Sequence, residues 1–193
     1  MLRTVVITGG PCAGKTTVLA RLTEALKDEA VFVPEAATML FELGDMTPDA
    51  CWQAFQWYRL QLIVTRLQLQ LEAEARSRAA REGKTFLICD RAPFDNRAYP
   101  MGWDAVSELL GTNEQEGYER YDLVVHLESL ATADPDRFGA GGNSLRYESL
   151  EEARDLERRA RNAWLRHPNW HLAGGNNLHK KYLHVLRLIA ELD

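Results

Sequence analysis

One stretch near the start of the chain constrains its fold more than any other. Gly9-Gly-Pro-Cys-Ala-Gly14-Lys15-Thr16 satisfies G-x-x-x-x-G-K-[ST] at every defined position. The motif leaves an apolar run, Val5-Val6-Ile7, and opens a segment from Gly14 to Glu29 with Leu19, Leu22 and Leu26 at helical spacing. A strand before and a helix after are what a phosphate cradle needs. Glycines let the backbone wrap closely, so successive N–H groups can aim at phosphate oxygens, and the helix N-terminus adds partial positive charge. The expected nucleotide-binding segment therefore runs from Gly10 through Pro11, Cys12, Ala13 and Gly14 to Lys15, Thr16 and Thr17. Within it Lys15 reaches the β- and γ-phosphates, and the Thr16 hydroxyl is placed to ligate Mg²⁺. Cys12 reads as a small loop residue rather than a redox thiol.

The rest of the chain alternates short apolar runs with longer helical stretches, the pattern of βαβ units around a parallel sheet. Val31-Phe32-Val33 is a second strand stopped by Pro34, Phe86–Cys89 a third, Leu123–Leu127 a fourth and Trp170–Leu172 a fifth. Thr47-Pro48-Asp49 predicts a helix start, and Gly83 its stop, for a helix from Pro48 to about Arg81. Its core face is expected along Phe55, Leu62 and Leu69, with Leu60, Leu67 and Leu71 beside them. Ser149 to Glu152 has the form of a capping box, and a last helix spans about Leu178 to Leu192. The expected architecture is a three-layer α/β fold with a mostly parallel sheet of about five strands. The expectation is a single P-loop domain over residues 1–193, with a lid segment at about 134–166.

Composition narrows the function classes. With 46% hydrophobic and 26% charged residues the chain is neither disordered nor collagenous. No apolar run reaches the ~18–20 residues of a membrane span, and the opening Met1–Thr8 reads as a strand rather than a signal peptide. Cys12, Cys51 and Cys89 are odd in number and lack metal-like spacing, which points to a reducing cytoplasm. A net charge of −5 argues against broad nucleic-acid binding. The expected partners are a nucleotide and a small-molecule acceptor, and a homodimer stays open.

Ligands of parallel sheets bind beyond the carboxyl ends of the strands, so Lys15, Glu35 and Asp90 should converge. Asp90 is placed to hold Mg²⁺ through water or to activate an acceptor. Arg91 can stabilise charge on the transferring group, and Glu35 is suited to a base facing the acceptor hydroxyl. Asp95 either binds substrate or caps the following helix. Among Phe41, Trp52, Phe55, Trp57, Tyr58, Phe94, Tyr99 and Trp103, two or three are expected in an acceptor pocket, with Gln56 and Arg59 as its polar members. Arg154, Arg158, Arg159 and Arg161 have the look of a kinase lid, although Asp155–Arg159 and Glu157–Arg161 also read as solvated i,i+4 pairs. Arg146, beside the Gly-rich loop, is the better lid candidate and the expected phosphate contact. The five histidines form no ligand cluster and receive no chemistry.

Taken together, Ile7–Thr17, Val33-Pro-Glu-Ala-Ala37, Cys89–Asp95 with Tyr99, Tyr121–Leu127, Arg146-Tyr-Glu148 with Glu151-Glu-Ala153, and Trp164 with His167-Pro168 resemble a known group. These are P-loop ATPase/kinase domains of the AAA-type label, related to nicotinamide riboside kinases and more distantly to deoxynucleoside kinases. The resemblance implies nucleotide phosphates at Gly14, Lys15 and Thr16, Glu35 and Asp90 at the reaction centre, and a mobile lid near Arg146. Ala92 stands where the group often has Gly, and Thr38 where riboside kinases commonly carry Arg, which weighs against nicotinamide riboside itself as acceptor. The preferred function is ATP- and Mg²⁺-dependent phosphoryl transfer to a hydroxyl of a small, nucleoside-like metabolite. The rival is a nucleotide-binding regulator, an ATPase or GTPase switch acting on a protein or lipid partner; no Asn-Lys-x-Asp guanine signature is present.

Overall fold

The computed structural model describes residues 1–44, 53–111, 113–138 and 149–192. In chain order these form β1 (Arg3–Thr8), α1 (Lys15–Ala25), β2 (Ala30–Val33), α2 (Ala36–Glu42), α3 (Ala54–Glu82), β3 (Phe86–Asp90), and a 3-10 helix (Pro93–Ala98). There follow α4 (Gly102–Leu110), α5 (Glu114–Tyr118), β4 (Leu123–Leu127), α6 (Leu130–Ala133), a 3-10 turn (Pro135–Arg137), α7 (Leu150–Trp164), β5 (Trp170–Ala173) and α8 (Leu178–Ala190). The strands make one five-stranded sheet in the order β2-β3-β1-β4-β5, and every pairing is parallel.

Both faces of the sheet are covered, which is why its strands read as unbroken apolar runs. Successive side chains alternate between the faces. On one side Val5, Ile7, Ile88 and Val125 pack against Val18 and Leu22 of α1 and Val185 and Ile189 of α8. On the other, Val6 and Val124 meet Phe94, Tyr118 and Trp164, while Val31, Leu87 and Cys89 meet Ala75 and Ala79 of α3. The expected three-layer α/β fold is what the chain forms.

Strand order also fixes where a ligand can sit. From β1 the chain crosses by α1 to β2 at one edge, whereas from β3 it passes β1 and continues to β4. The loops after β1 and β3 therefore part company, and such a divergence opens a crevice at the carboxyl ends of the strands.

Local structure corrects several expectations. Helix α1 ends at Ala25, not near Glu29, because the chain must turn back into β2; Lys84 Nζ donates to the carbonyls of Lys27 and Asp28 in that turn, both at 3.1 Å. Helix α2 was not expected at all. Helix α3 begins at Ala54 behind Gln53, whose backbone is extended. The helix predicted from Pro48 therefore does not run through Gln53, and Thr47-Pro48-Asp49 lies outside the described residues. At its other end Gly83 caps the helix at φ +65°, as its position predicted.

The buried face of α3 is the larger correction. Phe55 is 66% exposed, while Leu60, Gln61, Val64, Thr65, Gln68, Glu72, Ala75 and Ala79 are buried. Positions 61, 65, 68 and 72 lie on one stripe of a 3.6-residue helix, and three of these polar residues bond to other elements. Asn96 donates to Thr65 at 2.7 Å. Gln68 accepts from the Ala36 N–H at 3.3 Å and donates to the Arg91 carbonyl at 3.2 Å. Glu72 accepts from Arg120 at 3.2 Å and from the Tyr121 hydroxyl at 3.1 Å.

Burial raises the Glu72 carboxyl above its ordinary range despite Arg120 and Tyr121. Removing it leaves the buried Tyr121 hydroxyl and the half-buried Arg120 without their acceptor. Glu72→Ala is therefore expected to cost about 3 kcal/mol in urea unfolding, the lower end for breaking a buried pair, because Arg120 is partly solvated. Glu72→Gln should cost less, since its amide oxygen still accepts one donor. Equal urea midpoints for wild type and Glu72→Ala would contradict this.

Candidate nucleotide site

The loop between β1 and α1 is held from behind by its own carbonyls. Lys15 Nζ donates to Gly9 O at 3.0 Å and Gly10 O at 3.4 Å. The Ser129 hydroxyl donates to Pro11 O, the Leu130 N–H to Cys12 O at 3.3 Å, and Lys181 Nζ to Ala13 O at 3.2 Å. Every carbonyl from Gly9 to Ala13 thus has a donor. Gly14 sits at φ +87°, where a side chain is strained, and turns the chain into α1. It offers no side-chain cap, and no acidic residue stands in the first turn. The N–H groups of Lys15, Thr16 and Thr17 have no intrahelical partner, so the amide-rich end of α1 is open to an anion. Thr16 and Thr17 are exposed there.

Lys15 is buried, and burial lowers its pKa to about 8; Arg91 adds to that, opposed by Glu35, Asp90 and Asp95. The lysine, both carboxylates expected at the strand ends, Arg91 and Asp95 therefore form one electrostatic cluster. Arg91 adopts φ +64°. In that left-handed conformation its Nε donates to Glu35 Oε1 at 2.6 Å and its guanidinium to Asp95 Oδ1 at 3.3 Å. Glu35 Oε2 accepts from the Thr38 hydroxyl at 2.9 Å. Burial pushes the Glu35 carboxyl up, but Arg91 and Lys15 outweigh it and hold the pKa below the usual range.

Asp90 behaves in the opposite sense. Burial raises its carboxyl to about 6, with Glu35 and Asp95 adding to the rise and Lys15 and Arg91 opposing it. Its Oδ1 is a buried oxygen with no hydrogen-bond partner among the described residues. Such an atom fits a cation or a donor that arrives with the ligand. The described residues contain no cluster of three or more His, Cys, Asp or Glu side chains that could hold a metal. Thr16 and Asp90 are the residues that would share an Mg²⁺ with nucleotide phosphates, a donor set this ion accepts.

Asp95 resolves differently from the substrate contact weighed for it. It is 1% exposed, and each carboxylate oxygen has two donors: the Thr8 hydroxyl and Arg91 on one, the Ala92 N–H at 3.0 Å and Trp164 Nε1 at 3.2 Å on the other. It caps the 3-10 helix and ties β1 to α7. Gln56 and Arg59, expected in the acceptor pocket, make their described contacts at the start of α3. Gln56 accepts from the Gln53 N–H at 2.7 Å, and Arg59 lies 5.7 Å over the Phe55 ring. Phe94 is core, packed on Tyr118 and Trp164. Of the expected pocket aromatics, Tyr99 lies near enough to Arg91 to raise its pKa; Trp52 is outside the described residues.

The segment expected to form a lid, 134–166, lies only partly within the described residues. Arg146 lies outside the described residues, as does 139–148 as a whole. Arg154 donates to the Ala131 carbonyl at 2.8 Å, Arg158 and Arg159 pair with Asp155, and Arg161 lies 5.5 Å over Trp170. Glu157 is not the solvated partner of Arg161. It is buried and accepts from the Gly10 N–H at 2.6 Å and the Ser129 N–H at 3.1 Å, with His126 Nε2 2.9 Å away. Burial raises its carboxyl, but these donors more than compensate and hold its pKa low. Glu157, His126 and Lys181 were missed because nothing local marks them; the Glu157–Arg161 spacing pointed to the surface.

A family model described as "AAA domain" matches residues 4–172. The chain belongs to that family. The match spans β1, the phosphate-binding loop, β3 and β4, and with the strand order it makes this AAA domain a P-loop NTPase-type domain with a nucleotide-binding loop at Gly9–Thr16. No curated protein matches the chain. No helix among the described residues is long and apolar enough to cross a membrane.

Proposed function

We propose that this AAA domain transfers the terminal phosphoryl group of ATP to a hydroxyl of a small, nucleoside-like metabolite. The observation that carries the reading is the pair of carboxylates beside Lys15, Glu35 held ionised by Arg91 and Asp90 with an unpartnered oxygen. Phosphate binding alone needs neither a second carboxylate nor an arginine clamped in a left-handed backbone. Mg²⁺, held by Thr16 and Asp90, would supply charge neutralisation at the phosphates. The protein's own residues do the rest.

Lys15 stabilises the charge that develops on the phosphate oxygens. The acceptor oxygen forms a bond to the γ-phosphorus as the bond to the ADP oxygen breaks. The acceptor proton passes to Glu35, which is available at any physiological pH because its pKa is depressed. That same depression makes it a weak base, and the loose transition state asks little of one. Arg91 keeps Glu35 oriented and, with Asp95, keeps its own guanidinium beside the transferring group.

The test is Glu35→Gln assayed on both halves of the reaction. A metabolite screen for new phosphate esters supplies the acceptor. Phosphorylation should then slow by roughly 10²-fold, the low end for loss of a general base, while ATP affinity measured by calorimetry barely changes. Intact phosphorylation by Glu35→Gln would remove the base. No acceptor in the screen, with partner binding lost in the variant, would favour the regulator.

A further inference from the structure

We infer that Glu157 is a positioning residue of the nucleotide site, a carboxylate on α7 that keeps the phosphate-binding loop in its anion-receiving shape. The inference rests on nucleotide binding at Gly9–Thr16 and not on the kinase assignment.

Gly10 fills a position the motif leaves undefined, so its glycine needs another reason. A Cβ added there would stand 2.5 Å from Glu157 Oε2 and 3.0 Å from the Glu157 Cα. The loop backbone and α7 touch at this point, and a side chain at position 10 would push Glu157 out of its place. Across that contact the Gly10 N–H donates to Glu157 at 2.6 Å. The Gly10 N–H is therefore taken by a residue of α7.

The other Glu157 oxygen extends the brace. It accepts from the Ser129 N–H and faces His126 Nε2, while the Ser129 hydroxyl and the Leu130 N–H hold the carbonyls of Pro11 and Cys12. One carboxylate therefore joins the outer arm of the loop, the end of β4 and the helix that follows residues 139–148. Hydrogen bonds to an ionised acceptor are about twice as strong as neutral ones, and a loop whose amides are already aimed loses less freedom when phosphate arrives. His126 is fully buried, and against the ionised Glu157 its Nε2 is the donor. The groups facing this carboxylate are Gly10 from the loop, Ser129 from the start of α6 and His126 from β4, and Lys181 of α8 is near enough to feel its charge.

The test uses the full chain with Mg·ADP as the probe, so it needs no acceptor. Glu157→Ala is expected to weaken Mg·ADP about tenfold, the lower end for a hydrogen bond to a charged group. Glu157→Gln is expected to fall between it and wild type, because its amide oxygen can still accept from Gly10. Tyr118→Phe is the structural control: it removes the 2.6 Å bond to the Ala163 carbonyl at the far end of α7 without touching the loop. It should lower the melting temperature and leave Mg·ADP affinity unchanged. In hydrogen exchange the Gly10 amide should be protected in wild type and exchange faster in Glu157→Gln, whose neutral oxygen holds it less strongly, which reads the contact even where Glu157→Ala folds poorly. If Mg·ADP affinity follows melting temperature alike in all three variants, or if the Gly10 amide exchanges in Glu157→Gln as slowly as in wild type, Glu157 is only a packing residue. If wild type binds no Mg·ADP, the nucleotide reading itself fails, an outcome distinct from either.

Discussion

Lys15→Ala is expected to reduce turnover by roughly 10²–10³-fold, the scale of losing one preorganised donor at a site of developing charge. The reason lies in where the ammonium sits. It is buried at the carboxyl end of β1, resting on the carbonyls of Gly9 and Gly10, and an ammonium has a third hydrogen to give. In so dry a position its contact with a phosphate oxygen is charge-assisted and poorly screened. The burial that makes it effective also lowers its pKa to about 8. ATP affinity of the wild type should therefore weaken as pH rises from 7 to 9, since the nucleotide-free lysine loses its proton in that range. Calorimetric titrations at several pH values check both points. Lys15→Ala should bind ATP more weakly at pH 7 and show no such decline. Equal affinity and turnover in the two proteins would overturn the role of Lys15.

Asp90→Asn is expected to be more stable than wild type and nearly inactive. The folded pKa of about 6 lies above the ordinary carboxylate value, chiefly because of burial. Between roughly pH 4 and 6 the native state thus holds more protons than the unfolded chain, and stability falls as pH rises through that window. Above it the ionised carboxylate remains a standing cost that asparagine does not carry. The variant should therefore melt higher at pH 7.5, by roughly 2–4 °C for each kcal/mol relieved, and should lose that advantage at pH 4. Its turnover should drop by about 10²–10³-fold, the range for removing a preorganised electrostatic partner, with more Mg²⁺ needed for what remains. The pattern of stability gained and function lost is typical of a site held in an unfavourable state for its task. A variant that melts lower at pH 7.5, or keeps full turnover in excess chelator, would show Asp90 to be a structural acid.

What could be read in the chain itself was what depends on neighbours in sequence. The glycine-lysine-threonine loop, the apolar runs that became buried parallel strands, the Gly83 stop and the Ser149–Glu152 cap all carry their physical cause within a few residues. Glu35, Asp90 and Arg91 could be placed because a residue just past a parallel strand lies at the ligand end of the sheet. The tertiary structure decided which polar side chains found partners far away in sequence. Helical spacing favoured Phe55, Leu62 and Leu69 as the inner face of α3, yet Gln68 is inside because Ala36 and Arg91 meet it there. Asp95 is an anchor because Thr8 and Trp164 converge on it from opposite ends of the chain. Glu157 looked like half of a surface ion pair, and only the approach of α7 to Gly10, 147 positions away, turned it inward. A buried carboxylate is tolerated only where donors surround it, and donors that arrive from other elements leave no periodic trace in the sequence.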